Sequence, residues 1–167
     1  MVLASFKANR IRLAAVALAT LTLAACGEGD LAQTQSSAQW PVATVYKSPT
    51  CSCCNKWVEH LRANGFPVQV REPADLNAVK DEYEVPRDMR SCHTAVIDGY
   101  VVEGHVPAAD IQRLLQERPE ATGLAVPGMP LGSPGMEVDN RRQAYTVWLL
   151  GEEAPKVFTE YSAMNLN

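Results

Sequence analysis

Three cysteines fall within four residues, Cys51-Ser52-Cys53-Cys54, and the segments on either side leave the chain little freedom there. Val42 to Tyr46 (VATVY) is a short, apolar, β-branched run suited to a buried strand, and Ser48-Pro49-Thr50 breaks it. Beyond the cysteines, Asn55 to Asn64 carries Trp57, Val58 and Leu61 at helical spacing and stops at Gly65, a residue suited to the helix C-terminus. A strand, a sulfur-rich turn and a helix must therefore follow one another within about 20 residues. The next strand is read at Val68 to Val70.

Asp75 can cap a helix running through Tyr83 with Leu76 and Val79 inward, and Pro86 ends that region. Thr94 to Ile97, then Asp98-Gly99, then Tyr100 to Val102 reads as a hairpin, since Asp-Gly is a preferred pair for a two-residue turn. Pro107 sits where a first helical turn tolerates proline, and Ile111, Leu114 and Leu115 give the following helix an apolar stripe up to Glu117. Strand, helix, strand, helix, strand, strand, helix is the thioredoxin-like order, with the first two strands parallel and joined by a right-handed crossover. The expected fold is α/β: a thioredoxin-like domain over residues 41–118 with an irregular Gly/Pro/Met-containing C-terminal extension over 119–167. That extension should end in two short strands, Tyr145 to Leu150 and Lys156 to Thr159. No internal repeat is visible.

The chain of 167 residues, 47% apolar and 20% charged, is long enough for one domain with a real core. Its first 25 residues read as an address. Lys7, Arg10 and Arg12 precede an apolar stretch from Ile11 to Ala25, the order of a bacterial export signal. At about 15 residues the stretch is shorter than the roughly 20 needed to span a bilayer. Leu23-Ala24-Ala25-Cys26 resembles a lipobox, which makes Cys26 a lipidated first residue of the mature chain and a membrane anchor. An ordinary secretory signal with an unrelated cysteine is the alternative. Gly27 rather than Asp after Cys26 favours the outer membrane by resemblance to sorted lipoproteins. Residues 26–40 are small and polar, a flexible tether, so the expected location is periplasmic. Without the signal the chain holds 12 basic and 19 acidic residues, net −7, with no basic run. Nucleic acid is excluded as a partner, because neutralising phosphates takes clustered Lys and Arg.

In the expected fold Cys51, Cys53 and Cys54 lie at a helix N-terminus, where unpaired N–H groups and the helix dipole favour thiolate. Cys51 and Cys54 have the C-x-x-C register of a redox pair, and Cys53 is surplus to it. Cys92-His93 comes directly before the third strand, on a loop that packs beside the C-x-x-C loop in that fold and usually carries a cis-proline. Four sulfurs and an imidazole would then converge. Thiolates suit Cu(I), zinc or iron–sulfur, and imidazole suits copper and zinc. Zinc favours the paired C-x-x-C or H-x-x-x-H spacings, so C-x-C-C with C-H fits Cu(I) better. The plainer alternative is a pair of structural disulfides in an exported domain, although three cysteines crowded in one turn close only short loops.

Tyr46-Lys47-Ser48-Pro49-Thr50-Cys51-Ser52-Cys53-Cys54, Trp57-Val58-Glu59-His60-Leu61, Ser91-Cys92-His93-Thr94-Ala95-Val96, Glu103-Gly104-His105-Val106-Pro107, Pro127-Gly128-Met129-Pro130 and Gly132-Ser133-Pro134-Gly135-Met136-Glu137 together resemble the bacterial copper-resistance CopG family over about residues 42–159. The resemblance implies a thioredoxin-like domain whose extension helps to bind metal, and a cysteine-bridged multinuclear copper cluster that interconverts Cu(I) and Cu(II) in copper detoxification. It carries Cys51, Cys53, Cys54 and Cys92 over as copper ligands, with His93 as a ligand or orienting group. For His93 the alternative is a buried ring satisfied by a backbone carbonyl. His105, on the loop after the hairpin, is balanced between ligation and a helix-capping or solvated role. His60 is about 10 Å along the helix from Cys53 and is read as packing. Met129 and Met136 offer thioethers on a segment able to fold over the site as a lid, or else simply pack. Copper ions, a periplasmic copper efflux system and the membrane, through Cys26, are the expected partners. Rival functions are a metal-independent thiol-disulfide oxidoreductase and a non-catalytic copper buffer or chaperone. No catalytic residue is assigned.

Overall fold

A computed structural model describes residues 40–164; the export signal 1–25, Cys26 and nearly all of the tether lie outside the described residues. Along the chain run β1 (Ala43–Lys47), α1 (Ser52–Ala63), β2 (Val68–Arg71), α2 (Leu76–Glu82), a 3-10 turn (Arg87–Met89), β3 (His93–Ile97), β4 (Tyr100–Glu103), α3 (Ala108–Glu117), β5 (Gly123–Ala125), β6 (Tyr145–Leu150) and β7 (Lys156–Tyr161). The seven strands form one mixed sheet in the order β2-β1-β3-β4-β5-β6-β7. β1 pairs with β2 in parallel and with β3 antiparallel, and β3 and β4 form the expected hairpin. β5 joins β4 in parallel, and β6 and β7 continue antiparallel. The C-terminal segment thus extends the same sheet, and Gly123–Ala125, read from the sequence as irregular, is one of its strands.

Alternation along β3 divides the two faces of the sheet. His93 lies against the Trp57 ring of α1, with centroids 4.3 Å apart, whereas Thr94 Oγ1 accepts from Lys80 Nζ of α2 at 2.9 Å. α1 and α3 supply the main core: Trp57, Leu61, Ile111 and Leu114 are fully buried with Val45, Ile97, Val102 and Leu124 of the sheet. Each such side chain contributes about 1.5–3 kcal/mol. The Trp57 indole N–H donates to the Val106 carbonyl at 2.8 Å, so the largest core residue leaves no polar atom unmatched. Asp110 of α3 accepts from Thr159 Oγ1 at 2.5 Å and from the Tyr161 hydroxyl at 2.7 Å, which fixes the last strand to the core helix. No helix among the described residues is long and apolar enough to cross a membrane.

Candidate metal centre

α1 begins three residues earlier than its apolar periodicity suggests, so Cys53 and Cys54 belong to its first turn. Cys51 is the N-cap: its backbone is extended and its sulfur accepts from the Cys54 N–H at 3.3 Å. A disulfide joins Cys51 to Cys54, leaving Cys53 and Cys92 as thiols. Cys53 Sγ lies 3.4 Å from Cys51 Sγ, and Cys92 Sγ lies 3.4 Å from Cys54 Sγ. The sheet register explains the convergence: Lys47, the last residue of β1, pairs with His93, the first of β3. The cysteine turn leaving β1 and the Cys92 turn entering β3 therefore emerge side by side.

Two imidazoles complete the cluster. Cys92 Sγ is 3.2 Å from His93 Nδ1 and 3.1 Å from His105 Nε2. His105 Nδ1 lies 2.8 Å from the Pro134 carbonyl, which can only accept, so Nδ1 carries the proton and Nε2 turns a lone pair towards Cys92. The Cys92 S–H donates to that lone pair. His93 Nδ1 lies against the same sulfur, and its Nε2 is buried without a hydrogen-bond partner. A fully buried ring nitrogen without a hydrogen bond is costly, and an imidazole lone pair is a donor suited to copper or zinc. The ligand atoms of Cys51, Cys53, Cys54 and Cys92 all lie within 4.8 Å of one another, as do those of Cys92, His93 and His105.

The protonation states suit a neutral resting site. Burial, reinforced by the nearby Cys53, pushes the Cys92 thiol up to about 12. Burial holds His93 well below the usual imidazole range, helped by the neighbouring His105 and Lys80. Burial also lowers His105, against the opposing effects of its Pro134 bond and Glu137. A bound soft cation would displace the Cys92 proton and meet imidazoles that are already neutral.

His60, read from the sequence as packing, takes the helix-capping role weighed for His105, and His105 takes the other of its two alternatives. His60 Nε2 accepts the Ala108 N–H at 3.0 Å and so caps α3, while His105 turns into the cluster. His93 meets a thiol rather than the backbone carbonyl considered as its alternative. The C-terminal segment reaches the site at two points. A Cβ at Gly135 would stand 2.8 Å from the Cys53 carbonyl oxygen and 2.9 Å from the Trp57 backbone nitrogen, and its φ is +85°, so the turn holding Pro134 lies flush on the first turn of α1. Ser91 Oγ donates to the Gly128 carbonyl. Met136 and Met129 each follow one of these anchored glycines; Met129 is 52% exposed and Met136 half-buried.

Sequence reasoning assigned no role to Pro134, Glu103 or Lys80. Glu103 and Lys80 are 0% and 3% exposed and sit directly beneath the Cys92-His93 turn. The one sequence signal for Glu103 is a charged residue closing an otherwise apolar strand, Tyr100-Val101-Val102-Glu103.

Fold and cluster together define a mixed α/β protein with a thiol- and imidazole-rich donor set suited to a soft metal. Two solved structures, of the copper resistance protein CopG in its forms 1 and 2, are each 50% identical to the chain and cover 74% of it and 99% of their own length, with TM-scores of 0.71 and 0.70. Residues 89–136 match a family described as a protein of unknown function, DUF411. No curated protein sequence matches the chain. The chain belongs to the copper resistance protein CopG family.

Proposed function

We propose that this protein binds copper as its cargo in copper resistance, taking Cu(I) through Cys51, Cys53, Cys54, Cys92, His93 and His105, with Met129 and Met136 on the segment that covers the site. The observation that carries this reading is the cluster itself: the ligand atoms of Cys51, Cys53, Cys54 and Cys92 lie within 4.8 Å of one another, as do those of Cys92, His93 and His105, and His93 Nε2 is buried without a hydrogen-bond partner. Soft sulfur donors stabilise Cu(I), and imidazole admits Cu(II) as well, so one site accommodates both oxidation states. Oxidation of the Cys51/Cys54 dithiol to its disulfide releases two electrons and two protons, and the electrons reduce two Cu(II) to Cu(I). The thioredoxin-like reading of residues 41–118 draws support from the β2-β1-β3-β4 order with α1 as the parallel crossover. Residues 119–167 act as an extension that supplies Pro134 to the site. The export-signal pattern of the leader and the lipobox-like Leu23-Ala24-Ala25-Cys26 support a periplasmic, lipid-anchored location at the outer membrane, where copper would be exchanged with an efflux system.

The Cys51–Cys54 disulfide favours one second reading, a metal-independent thiol-disulfide oxidoreductase. Metal analysis of protein purified from the periplasm, with an insulin-reduction assay of the metal-free form, separates the two. Copper bound in wild type, reduced in Cys53→Ser and Cys92→Ser, and no insulin turnover are the expected results. Insulin turnover by metal-free protein together with unchanged copper loading in both variants refutes the copper reading.

A further inference from the structure

We propose that Glu103 is a positioning residue for the metal centre, a buried carboxylate clamp that holds Cys92 and His93 from both sides. The inference deepens the copper-binding reading and rests on it. Glu103 closes β4 and pairs with Thr94 in the sheet. Its Oε1 accepts the Ser91 backbone N–H at 2.6 Å, immediately before Cys92. Its Oε2 accepts from Thr94 Oγ1 at 2.6 Å, immediately after His93. The two donor residues are therefore bracketed by hydrogen bonds to a single side chain. Lys80 Nζ completes the arrangement, donating to Glu103 Oε1 at 2.5 Å and to Thr94 Oγ1 at 2.9 Å.

This arrangement does more than satisfy a buried charge. The Ser91–Cys92 junction lies ahead of β3, where no strand ladder bonds fix it, and the Ser91 N–H would otherwise have to be met by water or another loop. A carboxylate accepts bonds from backbone N–H, hydroxyl and ammonium at once, and such charge-assisted bonds are short and strong. The chain then continues from Glu103 through Gly104 to His105, so one short segment carries the clamp and a third donor. Gly104 N–H in turn donates to the His93 carbonyl at 3.0 Å. Glu103 and Gly104 thus tie the Ser91–Thr94 segment to the residues that lead directly into His105. Hydrogen-bonding partners that orient metal ligands typically account for 10–100-fold in metal affinity.

Removing Glu103 alone would leave Lys80 as an unpaired buried charge, so the test uses two double variants with that charge gone. In Lys80→Met/Glu103→Gln the amide oxygen can still accept the Ser91 N–H, and the amide NH2 can donate to Thr94 Oγ1. In Lys80→Met/Glu103→Met both bonds are lost while the volume is kept. Cu(I) affinity is measured by anaerobic competition with a chromophoric chelator, thermal stability by calorimetry, and exchange of the Ser91 amide by NMR. The expected result is a Gln variant within about threefold of wild type and a Met variant weakened about 10–100-fold, with faster Ser91 exchange in the Met variant only. Equal Cu(I) affinity in the two folded variants overturns the clamp. So does a Ser91 amide that exchanges alike in both. If the Met variant fails to fold, the Gln variant decides alone: a tenfold or greater loss with the two bonds retained overturns the clamp, and wild-type-like affinity without the ion pair supports it. A wild-type protein that binds no Cu(I) instead refutes the copper reading itself.

Discussion

Raising the pH from 7 to 9 should tighten Cu(I) binding, and the steepness of that change reports whether Cys92 is a ligand. The Cys92 thiol is pushed up to about 12 by burial and by the adjacent Cys53. At pH 7 only about one molecule in 10⁵ carries its thiolate, and at pH 9 about one in 10³. Binding at Cys92 therefore releases close to one full proton over the whole window, and apparent affinity gains about tenfold per pH unit from this sulfur alone. His93 and His105 contribute little to the slope, because burial lowers both from the ordinary imidazole range. In Cys92→Ser the hydroxyl stays protonated and the proton release disappears. The assay is competition with a Cu(I) chelator of known pH dependence, run anaerobically without thiol reductant so that the Cys51–Cys54 disulfide stays closed. Plots of log apparent affinity against pH should differ in slope by about one between wild type and Cys92→Ser. Parallel plots would refute the reasoning: either the sulfur is not a ligand, or its proton is already gone in the free protein.

The disulfide should set how much copper the centre holds. With it closed, the donors are Cys53, Cys92, His93 and His105; opening it adds Cys51 and Cys54. Anaerobic Cu(I) titration should reach a higher endpoint after reduction, and a Cys51→Ser/Cys54→Ser protein should give one endpoint with or without reductant. Identical endpoints for oxidised and reduced wild type would count against it. Gly104→Ala should destabilise the fold by about 2–4 kcal/mol. Its φ is +73°, and an added Cβ would lie 2.5 Å from the Val126 carbonyl oxygen and 2.6 Å from Ser91 Cβ. Denaturant unfolding checks this, and a loss below about 0.5 kcal/mol would show that the Ser91 turn yields freely.

What could be read from the sequence was what the chain writes locally. β1, α1, β2, α2, the β3–β4 hairpin and α3 follow from period-2 and period-3.6 apolar patterns, from Asp75 as a cap, and from Asp98-Gly99 as a turn. Asp75 Oδ1 does accept the Asn77 and Ala78 N–H groups, at 2.8 and 3.2 Å. The three-residue β5 escaped because no periodicity can be measured over Gly123-Leu124-Ala125. The start of α1 was misplaced because Ser52, Cys53 and Cys54 carry no apolar stripe. The cysteines and His93 announce themselves by residue type and spacing. That His60 caps α3 needed the tertiary structure, since His60 lies on α1, 48 residues before the Ala108 N–H that it accepts.

Lys80 and Glu103 show the deeper limit. In Leu76-Asn77-Ala78-Val79-Lys80-Asp81-Glu82 the lysine reads as one more charge on a solvated helix face. Its partner is 23 residues away, on a strand that the register places opposite Thr94. Neither residue can be buried without the other, and the charge that closes the apolar run of β4 is the one mark of the pair in the sequence. A buried ion pair is a costly way to build a core, and replacing it with apolar side chains often stabilises a fold. Glu103 reaches the backbone N–H before one sulfur donor and the hydroxyl after its neighbouring imidazole, a geometry that an apolar pair of equal volume would not reproduce. The placement of the charge is therefore better accounted for by the donors it holds than by the stability it supplies.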